Sequence, residues 1–370
     1  MMAASAAVTT AIPGLAIAGA RLVVGQSLPL TGTLASYGLA KLSGSKACFA
    51  EVNLASSSQH IEIVALDDKY DPGLTVENTY ALAGKHQATA LLGYFGVPTV
   101  NAALPLFDQL KIPVVGLTSG SRDIRGQFRP YVFPVRASYL TEAEKIVSHM
   151  KTVGFERVTL IAQQNAYGEE VKSTFIEQAS ATGIKDIATL QLANDSSNAS
   201  LVVDSIADGT QALVLAMLSV QAIATVKAMK GKKLVRQIYG LSALDATYLH
   251  QSLGISASGI VQSQVIPSPS DNAKAVCRLY VATLKKHAPD ESPSYFGLEG
   301  FIEAMVLSEA IRRTGNAITG SNRRAALRTS LTQLGSLDLG GFVTDYSAVQ
   351  RTGSRYVDLT ILGSSGRTVR

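Results

Sequence analysis

The sequence has no tryptophan, two cysteines, five scattered histidines and little charge. Two cysteines cannot staple a disulfide-built scaffold. Cys48 and Cys277 stand alone on helix-like segments, which suits small core residues better than a metal or redox pair. The histidines at 60, 86, 149, 250 and 287 form no pair four residues apart and no HExxH, so zinc chemistry has no anchor. Of the 370 residues, 16% are charged and 46% hydrophobic, which excludes a disordered chain. A net charge of +5 is thin over this length. The densest basic stretch, Arg312, Arg313, Arg323, Arg324 and Arg328, falls on helical segments as solvated faces, so no nucleic-acid partner is expected.

Catalytic fingerprints are also missing. GYFGVP (93–98) lacks the third glycine of a dinucleotide loop, and no GxxxxGK[ST] occurs. GLTSG (116–120) puts Ser119 fourth, where a nucleophile elbow needs it third. DDKYD (67–71) has neither the glycine nor the distal glutamate of a calcium loop and reads as a strand end followed by a helix cap. No catalytic residue, cofactor or metal is expected.

Charge is missing locally too. Residues 1–20 carry none and end in small residues, like a signal-peptide core before its cleavage site, though without a basic n-region. Gln87–Phe107 and Gly209–Val226 are also free of charge over 21 and 18 residues. Gly93, Gly96, Pro98 and Pro105 in the first, and Gln211, Ser219 and Gln221 in the second, mark strand, turn and helix instead of a membrane span.

What is present is an alternation. Near-continuous apolar runs at 22–30, 61–67, 89–94 and 112–117 are followed by a second series at 157–163, 186–192, 212–217 and 235–240. Such runs fit parallel strands covered on both faces. Helix signals lie between them: Asp71-Pro72 as cap and first residue, and Thr141 with Glu144 as a capping box before Ile146, Val147, Met150 and Val153. The pattern predicts an α/β fold of two doubly wound, Rossmann-like lobes. Breaks at 131–138 and 259–270, helices over 271–333 and β character at 340–346 and 355–363 predict a hinge of three segments. The expected division is 21–136 with 268–336 as the first lobe and 137–267 with 337–370 as the second.

Four polar, glycine-bearing turns follow strands: PLTGTLASYG (29–38), GYFGVPT (93–99), GLTSGS (116–121) and QQNAYG (163–168). Ligands of open α/β sheets bind outside the carboxyl ends of the strands. Free backbone N–H groups at helix starts favour an anionic group there. Any one turn is ordinary; four, carrying Tyr37, Tyr94 and Tyr167, point to a site for a small carboxylate.

These segments, with DDKYDPGLTVENTYALAGKHQATALLGYFGVPTVNAALPLFDQLKIPVVGLTSGS, YVFPVRASYLTEAEKIV, QNAYGEEV and GIVQSQVIPSPSD, resemble the substrate-binding proteins of branched-chain-amino-acid-type ABC importers, which have a type I periplasmic-binding-protein fold. The resemblance implies a ligand clamped between lobes. Its carboxylate would lie near Val97, Thr99 and Ser119, Gly120 and Ser121, with Tyr37 and Tyr167 lining the pocket. It also implies three departures. A serine hydroxyl at a helix start falls at Val97 and is lost unless Thr99 replaces it. The acidic partner of a ligand ammonium falls at Ser242, and a second-lobe tyrosine falls at Leu218. Either Asp245 supplies the missing charge, or the ligand has no free ammonium. The partners implied are a small-molecule ligand and ABC permease subunits, with the protein a periplasmic monomer touching the membrane only through the permease. A cytoplasmic amide or amino-acid sensor acting on a regulatory partner is the alternative, and a dinucleotide-dependent enzyme is disfavoured by the incomplete glycine fingerprint.

Overall fold

The computed structural model describes residues 20–56, 59–184, 186–232, 235–347 and 351–369. Residues 1–19 of the uncharged leader lie outside them. The first lobe opens with β1 (Ala20–Leu28), α1 (Ala35–Ala55), β2 (Gln59–Asp67), α2 (Pro72–Ala83), β3 (Ala90–Phe95), α3 (Val97–Gln109), β4 (Val114–Thr118), α4 (Arg122–Arg125) and β5 (Val132–Phe133). The second holds α5 (Tyr139–Thr152), β6 (Arg157–Gln163), α6 (Ala166–Ala181), β7 (Asp186–Leu192), α7 (Ala199–Asp204), β8 (Ala212–Ala216), α8 (Ser219–Ala228), β9 (Gln237–Gly240), α9 (Ala246–Leu253) and β10 (Val261–Gln264). The chain then returns to the first lobe with α10 (Ala275–His287), α11 (Tyr295–Thr314), α12 (Arg323–Thr332) and the hairpin β11 (Ser336–Asp338) and β12 (Val343–Asp345). It ends in the second lobe with β13 (Asp358–Leu362) and β14 (Thr368–Val369).

Each lobe is built on one sheet. The first runs β2-β1-β3-β4-β5, all parallel. The second runs β14-β13-β10-β9-β8-β6-β7, parallel except for its last two strands, an antiparallel edge that the apolar runs do not announce. Strands β3, β4 and β8 are buried along their whole length, as their unbroken apolar runs require. The two uncharged windows are indeed strand, turn and helix, and no helix among the described residues is long and apolar enough to cross a membrane.

Local signals hold at some ends and shift at others. Asp71 caps α2, its Oδ1 accepting the N–H of Leu74 at 2.9 Å with Pro72 first in the helix. The capping box at Thr141 is displaced by one turn. Ser138 caps α5 by accepting the N–H of Thr141, and Val153 lies exposed beyond the helix end while Ile146, Val147 and Met150 are buried. The last lobe boundary also moves. Leu339, Phe342 and Tyr346 sit in the same core as Leu22 and Phe133, and Tyr346 Oη donates to the carbonyl of Pro134 at 3.0 Å. Residues 337–346 therefore pack in the first lobe, and the third crossing falls between Tyr346 and Asp358. Both cysteines are buried in that core, where burial pushes the Cys48 thiol up to about 12.

The first lobe depends on a close crossing of α1 and α11. A Cβ on Gly44 would lie 1.9 Å from the carbonyl oxygen of Gly297, and one on Gly300 2.3 Å from that of Lys41. This approach lets Ser45 Oγ donate to the Gly300 carbonyl at 3.1 Å and brings Lys41 Nζ within 2.8 Å of Glu303 Oε1, both side chains fully buried. Gly44→Ala must separate the helices and open that pair, and we expect it to lower folding stability by about 3 kcal/mol. Urea unfolding of the purified protein checks this, and a loss within experimental error would refute the close-contact account.

Candidate functional site

The carboxyl ends of both sheets face each other across a closed cleft. A small residual cavity of about 10 Å³, room for about one water, remains there, and both lobes contribute to its wall. The first lobe supplies Tyr70, Phe95, Gly96, Val97, Thr118 and Phe296; the second supplies Tyr139, Tyr167, Leu218 and Ala243, and Arg136 comes from the first hinge segment. Tyr37, Phe95 and Phe296 pack as a cluster with ring centroids 4.7 to 6.1 Å apart. Tyr139 and Tyr167 meet edge to face at 5.4 Å on the other side.

Closure is fastened by polar contacts between lobes. Tyr37 Oη lies 2.5 Å from Ser219 Oγ and donates to the Ala243 carbonyl at 3.3 Å. Gly120 O accepts the N–H of Tyr139 at 3.0 Å, and Glu170 Oε1 accepts the N–H of Arg122 at 3.0 Å. A contiguous apolar cluster joins Leu28, Leu34, Phe95 and Val97 to Ile146, Val147 and Leu241 across the junction.

Arg136 is the charged centre of the cleft, and only 2% of it is exposed. Its Nη2 donates to Ser242 Oγ, while its Nε lies 3.7 Å from Glu299 Oε1 and makes no hydrogen bond. Ser242 in turn donates through its N–H and Oγ to the two oxygens of Glu142, at 2.9 and 3.0 Å, and Ser263 Oγ donates to the same carboxylate at 2.7 Å. Burial works against the guanidinium charge, but Glu299 and then Glu142 outweigh it and hold its pKa above the usual arginine range.

The residues expected from the sequence take three different places. Val97, Tyr167 and Leu218 line the cavity, and Tyr37 backs its aromatic wall. Ser119, Gly120 and Ser121 lie in the lobe junction: Ser121 caps α4 and donates to Glu170 Oε2 at 3.4 Å, and Ser119 Oγ accepts the N–H of Ser121 at 3.3 Å. Thr99 does not stand in for the hydroxyl lost at Val97, because its Oγ1 donates back to the carbonyls of Phe95 and Gly96. Asp245 is turned to its own helix, where its Oδ1 accepts the N–H groups of Thr247 and Tyr248 at 2.9 and 3.1 Å. Ser242 connects Arg136 to Glu142. Tyr94, from the second glycine turn, points away from the cleft and bonds Thr79 at 3.0 Å.

Sequence reasoning missed Arg136, Tyr70, Tyr139 and Phe296. The available signal was a lone arginine inside the apolar linker YVFPVRAS, and a tyrosine hidden in the acidic run DDKYD.

Residues 22–361 match the periplasmic binding protein family. The chain belongs to that family. Within it, this periplasmic binding protein is similar to a substrate-binding periplasmic protein from Ralstonia solanacearum, with 30% identity, 94% of this chain and 99% of that one covered, and a TM-score of 0.86. It shares its fold with a possible leucine/isoleucine/valine-binding protein from Rhodopirellula baltica, at 24% identity, 96% and 98% coverage and a TM-score of 0.86. An amino acid binding protein of Pseudomonas aeruginosa is 24% identical over 177 residues, which span 45% of this chain and 46% of that protein. The type I architecture expected from the resemblance is thus the observed one.

In this binding protein Glu142 accepts three hydrogen bonds and faces a buried guanidinium. Glu142→Ala leaves two serines unpaired and Arg136 short of a counter-charge, and we expect a loss of about 3 to 5 kcal/mol. Guanidinium chloride unfolding, read by circular dichroism, gives the value; a loss under about 1 kcal/mol would sink this account.

Proposed function

We propose that this protein is an exported solute-binding protein: it captures a small amino acid or related carboxylate between its lobes and delivers it to the permease of an ABC importer. The observation that carries the reading is the closed cleft itself, whose cavity is walled by both lobes and holds three buried polar atoms without partners, Tyr70 Oη, Tyr167 Oη and Arg136 Nε. Polar atoms left so in a native interior call for an explanation, and a bound solute supplies it. Residues from two lobes can surround a ligand only when the lobes are together, so binding and closure are one event. The cavity wall contains no histidine, cysteine or carboxylate, which supports capture over chemistry. The family, and the Ralstonia and Pseudomonas relatives, support a transported solute and a periplasmic setting.

A ligand that binds the folded protein raises its stability by about 2.7 kcal/mol at 100 times its Kd. Thermal shift against amino acids, aliphatic acids and aromatic acids should therefore yield at least one stabilising compound. A flat response across all three classes, in protein stripped of ligand, would remove the proposal. Export predicts that the mature protein begins close to Arg21, which N-terminal sequencing reads directly.

The position of Asp245 generates a second prediction. Because its carboxylate caps α9, Asp245→Asn should cost at most about 1 kcal/mol of stability. It should leave the affinity of any hit from that screen unchanged. A loss of binding beyond about tenfold would place the carboxylate in the ligand site after all.

A further inference from the structure

The cleft offers hydrogen-bond donors and no free counter-charge for a cation. Burial raises the pKa of Tyr70 and of Tyr167, so both phenols remain protonated and able to donate. The carboxylates around the cavity lie against partners within the protein, although Glu299 Oε1 itself makes no hydrogen bond. Glu142 is taken up by Ser242 and Ser263, and Asp245 by its own helix. Asp68 accepts from Ser27 Oγ and the N–H of Tyr70, and Asp67 from the N–H groups of Leu30 and Lys69. Glu299 lies between Arg136 at 3.7 Å and Lys41 at 3.9 Å, and Glu303 pairs with Lys41. None of them is in the cavity wall.

The backbone shows that Tyr70 is placed there at a cost. Lys69 and Tyr70 have φ values of 51° and 63°, a left-handed conformation that bulky residues avoid. Such strain persists only where the surroundings fix it, and it concentrates at ligand sites. Gly96 makes room for the ring, since a Cβ there would come within 2.2 Å of Tyr70 Cε2.

We propose that the cleft, widened from this closed form, takes a small monocarboxylate with an apolar body and no ammonium group, its carboxylate received by Arg136, Tyr70 and Tyr167. This rests on the solute-binding reading and narrows it. An α-amino acid would bring an ammonium into a wall that already holds a guanidinium and has no carboxylate to receive it, which is costly in a closed site. A carboxylate gains a charge-assisted partner and two phenol donors. The surrounding rings of Phe95, Tyr139 and Phe296, with Val97 and Leu218, suit an aliphatic or aromatic body.

Calorimetry with matched pairs tests this: 3-methylbutanoate against valine, 4-methylpentanoate against leucine, and 3-phenylpropanoate against phenylalanine. Each pair differs only by the α-ammonium. The acid of at least one pair should bind about tenfold or more tightly than its amino acid. Amino acids binding as well as or better than their acids would overturn the inference and leave the solute-binding reading intact. No binding by any of the six at millimolar concentration would count against both. Tyr70→Phe and Tyr167→Phe, which each remove a single hydroxyl, should weaken the preferred acid by about fivefold. Arg136→Lys, which keeps the charge for Glu142 and Glu299, should weaken it by about tenfold or more. Unchanged affinity in both phenylalanine variants would overturn the proposal even if the arginine variant fails to fold.

Discussion

The structure depends on a guanidinium held away from water where the two lobes meet. Arg136 stands in the first crossing of the hinge, and its counter-charges come from opposite lobes, Glu299 on α11 and Glu142 on α5. A buried cation without partners would force the lobes apart or draw water into the cleft. Here Ser242 accepts from the guanidinium and donates to Glu142, and Arg125 Nη2 donates to the carbonyl of Arg136 at 2.6 Å, so side chain and backbone are both fixed. The position of each lobe is therefore defined relative to one charged group in the hinge.

Two structural devices let that group sit beside a cavity instead of inside a solid core. One is the close crossing of α1 and α11 at Gly44, Gly297 and Gly300, which draws in the Lys41–Glu303 pair and fixes the base of the first lobe. The other is the aromatic wall. Phe95 packs against Tyr70 and Phe296 with ring centroids 5.9 and 6.1 Å apart, and Gly96 makes room for the Tyr70 ring. Burial also raises the pKa of Glu303, with Lys41 opposing the shift.

The lobes, their strands and most of the turns were legible in the sequence because unbroken apolar runs and caps are local. RVTLIAQ and DIATLQL became β6 and β7 without a change of boundary, and Asp71-Pro72 began α2. The cavity was less legible because its walls meet only after the chain has crossed between lobes. Adjacent residues show the difficulty. Tyr94 and Phe95 alternate along β3, so the first packs on Phe107 inside the lobe and the second faces the cleft. Thr99 and Asp245 are polar residues at helix starts, and both use their side chains on nearby backbone. Tyr167, expected to line the pocket, is 2% exposed and packed on Tyr139, so its ring is also structural. Arg136 carried no motif at all.

In the proposed binding mode the same residue joins stability of the closed form to recognition. A ligand shifts an open-to-closed equilibrium only by the free energy it gains in one state and not in the other. Tyr70 belongs to the first lobe, Tyr167 to the second and Arg136 to the hinge between them, and each has a polar atom unpaired in the closed form. A group that bonds all three is therefore bound only when the lobes have met. Contacts already complete without ligand, such as Tyr37 with Ser219, favour closure in its absence and cannot discriminate between solutes. In the proposed binding mode, selectivity resides in the three unpaired atoms, and the apolar rings determine the size of what they admit.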